Sequence, residues 1–222
     1  MELFLLAIAA KICTMTTPLS SATEDDRLSS DFWDGRYQNG TARWDLGQPA
    51  PALVHLFTSS AKPVPGKVVV LGSGSGHDAV FLAQQGFDVT GVDFAPAAIA
   101  AASQRATAAQ VSVNWLQRNI FDLLPEYDQQ FDYVVEHTCF CALAPDLRDR
   151  YVQLVHQLLK PGGQFIGVFF THSRPGGPPF GSQPDELRRR FGPYFQLRHL
   201  AVTSHSVSAR LGDEHLGLFD KG

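Results

Sequence analysis

Four consecutive aliphatic residues, Val68-Val69-Val70-Leu71, run directly into Gly72-Ser73-Gly74-Ser75-Gly76, and a helix-forming stretch begins at about Asp78. An apolar run this short, bounded in this way, reads as a strand buried on both faces. Glycines at its end let the backbone come close to a ligand at the carboxyl edge of a sheet. The next strand, Phe87 to Val92, leads into Asp93, about 20 residues after the glycines, the spacing at which a carboxylate can accept hydrogen bonds from both hydroxyls of a ribose. A strand, turn, helix and strand in this order commit the chain to parallel pairing, because parallel neighbours need a crossover between them.

The alternation continues. Pro96 starts an Ala-rich helix that runs to about Ala109, with proline in the first turn, where its missing N–H costs nothing. Val111 to Leu116 and Phe131 to Val135 read as the third and fourth strands. From Asp146 to Leu159, apolar residues recur at helical spacing (Leu147, Tyr151, Leu154, Val155, Leu158), and Lys160-Pro161-Gly162-Gly163 ends that helix ahead of a fifth strand, Gln164 to Phe170. A Gly/Pro-rich loop (Ser173 to Ser182) and a helix near Pro184 to Arg190 precede two last strands, around Phe195 to Ala201 and Val207 to Phe219. The expected fold is α/β: a Rossmann-like, doubly wound, seven-stranded and mostly parallel sheet with an antiparallel C-terminal strand.

Hydrophobic residues make up 44% and charged residues 18% of 222, the balance of one medium domain with a full core, expected over residues 31–222. The formal charge of −4, with no basic face visible, speaks against a nucleic-acid partner. Arg188-Arg189-Arg190 reads as a solvated helix face. The three cysteines, Cys13, Cys139 and Cys141, give no disulfide framework and fit a reducing, cytoplasmic setting. Cys139-Phe140-Cys141 lacks the partner cluster of a zinc site, so no metal is expected. The apolar run Leu3 to Ala10 is too short to span a bilayer and lacks the basic flank of a signal peptide. No membrane association is therefore expected. Residues 1–30 read as a disordered leader, with Met15 as the expected translation start and the first fourteen residues assigned to an upstream reading frame. With no apolar element left over, a monomer is expected.

NAD and S-adenosylmethionine could each use the glycine turn and Asp93. Gly-x-Gly-x-Gly, in place of Gly-x-Gly-x-x-Gly, counts against a pyrophosphate. The β-rich ending likewise suits a methyltransferase sheet better than a dehydrogenase. Asn119 and Ile120, after the third strand, would hydrogen-bond the amine of an adenine and pack its ring.

Four stretches carry a resemblance. Phe32-Trp33-Asp34-Gly35-Arg36-Tyr37, followed by Gly40-Thr41-Ala42-Arg43-Trp44-Asp45-Leu46-Gly47, is similar to the aromatic N-terminal signature of the thiopurine S-methyltransferase family, closest to its halide/thiol methyltransferase branch. The resemblance continues through Leu71 to Asp78, Gly91-Val92-Asp93 and Phe131 to Leu143. It implies a class I methyltransferase that uses S-adenosylmethionine. Trp33, Tyr37 and Trp44 fall on the family's cofactor-covering aromatics, an N-terminal lid over residues 31–50. Gly72 falls on its first glycine, with Gly74 in the same turn; Asp93 falls on the ribose acid, and Asn119 and Ile120 on the adenine pair. Arg210-Leu211-Gly212-Asp213-Glu214 resembles the family's closing pattern, in which Arg210 would reach an anionic acceptor. His137 is a departure, standing where halide/thiol relatives carry tyrosine.

The lid also makes sense from elementary chemistry. A sulfonium is a fixed cation, and a desolvated aromatic face stabilises a cation by up to ~2 kcal/mol. Methyl transfer from it is an in-line displacement needing mainly alignment and a dry cavity. A halide, bisulfide or thiolate acceptor needs no strong base, because it already carries its lone pair and charge. Glu136 and His137, at the end of the fourth strand, are expected to face the methyl group, His137 either binding or deprotonating a thiol, or holding the cofactor's methionine part. Three alternatives stay open at this level: an NAD-dependent oxidoreductase, a non-catalytic S-adenosylmethionine sensor, and methylation of another small molecule or a metalloid such as tellurite.

Overall fold

The structure is a computed structural model that describes residues 29–222. The expected leader, up to residue 28, and the expected start at Met15 lie outside the described residues. Among the described residues, helices α1 (Ser30–Gln38) and α2 (Pro51–Thr58) precede strand β1 (Lys67–Leu71). There follow α3 (His77–Gln84), β2 (Asp88–Asp93), α4 (Pro96–Ala108), β3 (Asn114–Gln117), β4 (Phe131–His137), α5 (Arg148–Leu158), β5 (Leu159–Phe170), α6 (Pro184–Phe191), β6 (Gln196–Val202) and β7 (Glu214–Asp220). The sheet order is β3-β2-β1-β4-β5-β7-β6. β7 runs antiparallel to both of its neighbours, and every other pair is parallel, as expected. No helix among the described residues is long and apolar enough to cross a membrane.

The period of two along a strand explains the two layers. Val69 and Leu71 of β1 and Val134 of β4 face one side, where they join α5 and α6 through Tyr151, Val155, Leu187 and Phe191. Val68, Val70 and Val135 face the other side and join α2 and α3 through Leu53, Phe57, Ala79 and Leu82. Buried on both faces, β1 can afford no polar side chain between Val68 and Leu71. The first layer is notably aromatic. Phe165 stacks on Phe191 at 5.1 Å, and Phe191 meets Phe219 at 4.9 Å, which ties α6 to the antiparallel end of the sheet.

Several boundaries differ from the expectation for local reasons. β3 begins at Asn114 instead of Val111, because Gln110 adopts a left-handed φ of 56° and Val111 N bonds back to Ala106 O as α4 ends. The helix expected from Asp146 starts at Arg148 after a 3-10 turn at Pro145–Leu147. Lys160 to Gly163 lies inside β5 as a bulge, the pairing with β4 jumping from Leu159 to Gln164. The long final strand expected from Val207 is interrupted by a 3-10 turn at Ser208–Arg210 and by Gly212 at φ 87°, so β7 starts at Glu214. Helix α2 was not expected; only eight residues long, it packs Leu53 and Phe57 into the layer with α3.

Gly76 shows how tightly the first turn is packed. It has φ 83°, and a Cβ there would lie 2.7 Å from Ala102 Cβ and 2.8 Å from the Trp115 ring. Gly162, at φ 75°, has nothing within 4 Å. Gly76→Ala is expected to cost about 2–4 kcal/mol, adding overpacking to left-handed strain, and Gly162→Ala about 1–2 kcal/mol from strain alone. Urea unfolding midpoints of the two variants test this; equal losses would show that packing around Gly76 is not the stronger constraint.

Candidate active site

A cavity of about 770 Å³ opens at the carboxyl ends of β1, β2, β3 and β4, beneath α1 and the segment after it. Its floor is the turn that leaves β1. Ser73 N donates to Val92 O at 2.9 Å, and Gly74 N donates to Asp93 Oδ2, also at 2.9 Å. Ala95 N caps the other Asp93 oxygen at 3.0 Å. Gly72 and Gly74 both have positive φ, and a Cβ on Gly74 would lie 2.7 Å from the Tyr37 hydroxyl. Burial raises the Asp93 carboxyl above its ordinary range, against the pull of the amides that donate to it.

On the β2–β3 side, Asn119 caps the 3-10 turn Ile120–Asp122, accepting from Phe121 N at 3.0 Å. That cap fixes where Asn119 sits, and its carbonyl oxygen keeps a second lone pair for a ligand. Ile120 is buried beside it and borders the cavity.

The roof comes from the N-terminal segment. Trp44 Nε1 donates to Tyr37 Oη at 2.8 Å, and the Trp44 ring meets Trp33 edge-on at 4.9 Å. Burial raises the Tyr37 hydroxyl pKa, so it stays a phenol. The segment is fastened by polar bonds on which the sequence was silent. Ala97 N donates to Asp34 Oδ1 at 2.6 Å, fixing α1 to the start of α4. Ser75 Oγ donates to Asp45 Oδ2 at 2.5 Å, His77 Nε2 lies 3.3 Å from Asp45 Oδ1, and Ala50 N donates to Asp78 Oδ1 at 2.7 Å. The His77 contact is the main reason that the Asp45 carboxyl falls below the usual range.

The β4–β5 side carries the charges. His137 is enclosed, with Nδ1 3.3 Å from Asp78 Oδ2 and Nε2 3.4 Å from Glu214 Oε1. Arg210 Nη1 lies 3.2 Å from both His137 Nε2 and Glu214 Oε1, and Nη2 donates to Trp44 O at 2.9 Å. Burial alone would lower the His137 pKa; bonds to Asp78 and Glu214 outweigh it and lift it to about 9. Burial works against the Glu214 charge too, but His137, Ser206 and Arg210 hold its carboxyl below the ordinary value. His137 and Arg210 border the cavity.

Glu136 corrects the expectation that it faces the methyl group. Its side chain is fully buried on the opposite face of β4, and Oε2 accepts from Cys139 N at 2.6 Å and Phe140 N at 3.0 Å. It is not among the residues that border the cavity. Burial pushes its carboxyl up to about 7. Its place is to organise the turn after β4, where Thr138 adopts a left-handed φ of 62°. Cys139 and Cys141 border the cavity as thiols: burial raises both, Cys141 to about 12.

Residues 28–219 match the model of the family described as thiopurine S-methyltransferase. A probable thiol methyltransferase 2 of Arabidopsis thaliana is 30% identical over 197 residues, 87% of this chain and 86% of the relative. Thiocyanate methyltransferase 1 of Brassica oleracea is 28% identical over 193 residues, covering 85% and 84%. Among solved structures, a Burkholderia thailandensis 1,6-didemethyltoxoflavin N1-methyltransferase with bound S-adenosylhomocysteine superposes with a TM-score of 0.70 at 21% identity, over 92% of each chain.

A histidine whose pKa rises on folding stabilises the fold while it is charged. The contribution from His137 is complete below about pH 6.5 and disappears as pH rises towards 9. Wild type should exceed His137→Gln in stability by on the order of 2 kcal/mol at pH 6, and the gap should close by pH 9.5. Urea unfolding of both proteins across that range provides the check; a gap that stays constant with pH would rule out a charged His137.

Proposed function

We propose, from the premise that the chain belongs to the thiopurine S-methyltransferase family and is an S-adenosylmethionine-dependent methyltransferase, that its acceptor is a small soft nucleophile: a thiol, bisulfide or halide. The cavity suits that donor on its own geometry. Asp93 is a buried carboxylate beside two glycines, where a ribose can approach closely. Asn119 and Ile120 offer an acceptor and an apolar wall to an adenine. Trp33, Tyr37 and Trp44 form an aromatic roof suited to a sulfonium. When bound, S-adenosylmethionine supplies an activated methyl carbon.

The observation that carries the acceptor class is the charge arrangement on the β4–β5 side. Arg210 and His137 border the cavity, while Glu214, which pairs with both, is buried to 1% exposure behind them. Asp78, which pairs with His137 Nδ1, also borders the cavity, so the two cations present donors to it with little net charge, and such donors favour an acceptor that already carries a lone pair and negative charge. With carboxylates at both ring nitrogens lifting its pKa to about 9, His137 is suited to bind and orient an acceptor more than to act as a base. The relative named a thiocyanate methyltransferase adds thiocyanate to the acceptors worth testing.

The test is S-adenosylhomocysteine release against bisulfide, thiocyanate, iodide, an aryl thiol, a thiopurine and tellurite. Turnover is expected with at least one of the first four. Turnover with tellurite alone would overturn the acceptor class, and cofactor binding without any turnover would favour a sensor. With iodide or thiocyanate, whose charge does not change, kcat should be flat from pH 6 to 8 and fall as His137 loses its proton near pH 9. A rate that climbs through pH 6.5 would instead make His137 a base. Arg210→Met should raise the KM of an anionic acceptor about ten- to hundredfold, the value of a hydrogen bond to a charged group.

A further inference from the structure

We infer that Arg148, remote from the reacting atoms, is a positioning residue that sets the acceptor side of the cavity and with it the size of acceptor the enzyme accepts. This rests on the methyltransferase reading above. The sheet order places β2 and β3, with the nucleotide-side residues, on one flank of β1, and β4 and β5 on the other. The acceptor side is therefore walled by the segments that follow β4 and β5. One is the turn Phe140–Ala142, and the other is the loop 173–182, whose Pro178 and Pro179 border the cavity.

Arg148 joins these two walls from behind. It opens α5, is 1% exposed and does not border the cavity. Its Nη1 donates to Gly181 O at 3.0 Å and to Glu186 Oε1 and Oε2 at 3.0 and 3.1 Å, while Nη2 donates to Phe180 O at 3.3 Å. The guanidinium carbon lies over the Phe140 ring, 4.7 Å from its centroid. A single buried group thus holds two successive loop carbonyls against the turn after β4. Phe180 N adds a bond to Cys141 O at 2.6 Å, and His172 and Ser182 close the loop's base with paired bonds of 3.1 Å.

A buried ion pair is weak evidence for stability, since a well-packed apolar replacement is often neutral. What an apolar side chain cannot do is donate to both loop carbonyls. The loop contains Gly176, Gly177, Pro178 and Pro179 and has no regular structure of its own, so its order depends on such outside bonds. Glu186 keeps a second partner in Arg190 at 2.8 Å, so removing Arg148 does not strand a buried carboxylate. The guanidinium therefore governs where Pro178 and Pro179 stand, and a bulky acceptor depends on that wall more than a small one does.

The experiment compares wild type, Arg148→Met and Arg148→Lys by hydrogen–deuterium exchange and by steady-state kinetics with bisulfide and an aryl thiol. In Arg148→Met, amide exchange within residues 173–183 should speed up at least tenfold, while residues 72–78 and the affinity for S-adenosylhomocysteine stay within twofold. The aryl-thiol KM should rise about tenfold and the bisulfide KM less than twofold. Arg148→Lys, which keeps the charge on Glu186 without the fork, should fall between, and it decides the matter if the methionine variant does not fold. Unchanged loop exchange overturns the inference. So does an equal rise in KM for both acceptors, or a parallel loss of cofactor affinity, since either marks general structural damage. If wild type turns over neither acceptor, the thiol and bisulfide part of the proposed acceptor class fails on its own, and loop exchange still decides whether Arg148 holds the wall.

Discussion

The Gly74 amide donates to the Asp93 carboxylate across 2.9 Å, and the rest of the site hangs from that bond. It joins the turn after β1 to the end of β2, two strands that already pair in parallel from Lys67 to Leu71. The second Asp93 oxygen accepts from Ala95 N and so sets the start of α4. The first turn of α4 then presents Ala97 N to Asp34, which fixes α1 and its aromatic side chains above the cavity. A buried carboxylate is costly to keep charged, and the amides that point at it offset part of that cost. The same carboxylate thus holds the turn, a helix and indirectly the roof, so roof and floor share one reference point.

Much of this was legible because it is local. A strand that ends in glycines, and a carboxylate at the end of the next one, are separated by a single helix, so spacing alone places them together. The aromatic segment was legible through resemblance, although its fastening was not: Asp45 meets Ser75 and His77 across 30 and more residues. Helix α2 escaped because eight residues hold barely two turns, too few for a helical period to stand out. The partners of His137 escaped for a different reason. Glu214 is 77 residues away and reaches it only because β7 inserts antiparallel beside β5 and brings its first residue to the same edge of the sheet.

Glu136 and His137 show how one position along a strand separates a structural role from a place in the site. Adjacent residues on a strand point to opposite faces, so only one of the two can share the face of Asp78. His137 takes that side and meets Asp78. Glu136 points into the aromatic layer, where the amides of Cys139 and Phe140 satisfy one oxygen. Both residues are polar, and nothing in their identity said which would face the cavity. Strand register decided it, and register is set by pairing across the whole of β4, from Phe131 to His137.

The charge balance near His137 bears on how a methyl group would be transferred to an anion. A sulfonium and an anionic acceptor carry opposite charges that cancel as the carbon moves, so the transition state is less charged than the bound pair. Water would stabilise the separated charges more than the transition state, so the aromatic roof favours transfer to the extent that it shields the site from water. A strongly cationic wall would also hold the anion too firmly in its ground state, which lowers KM without raising kcat. The quartet here avoids that extreme. Arg210 and His137 are matched by Glu214 and Asp78, so on the proposed reading their charges would orient an acceptor without forming a deep electrostatic well. On this argument Glu214 and Asp78 matter as much as the two cations: they raise the His137 pKa and align its ring, and they would limit how tightly the cavity grips an anionic acceptor.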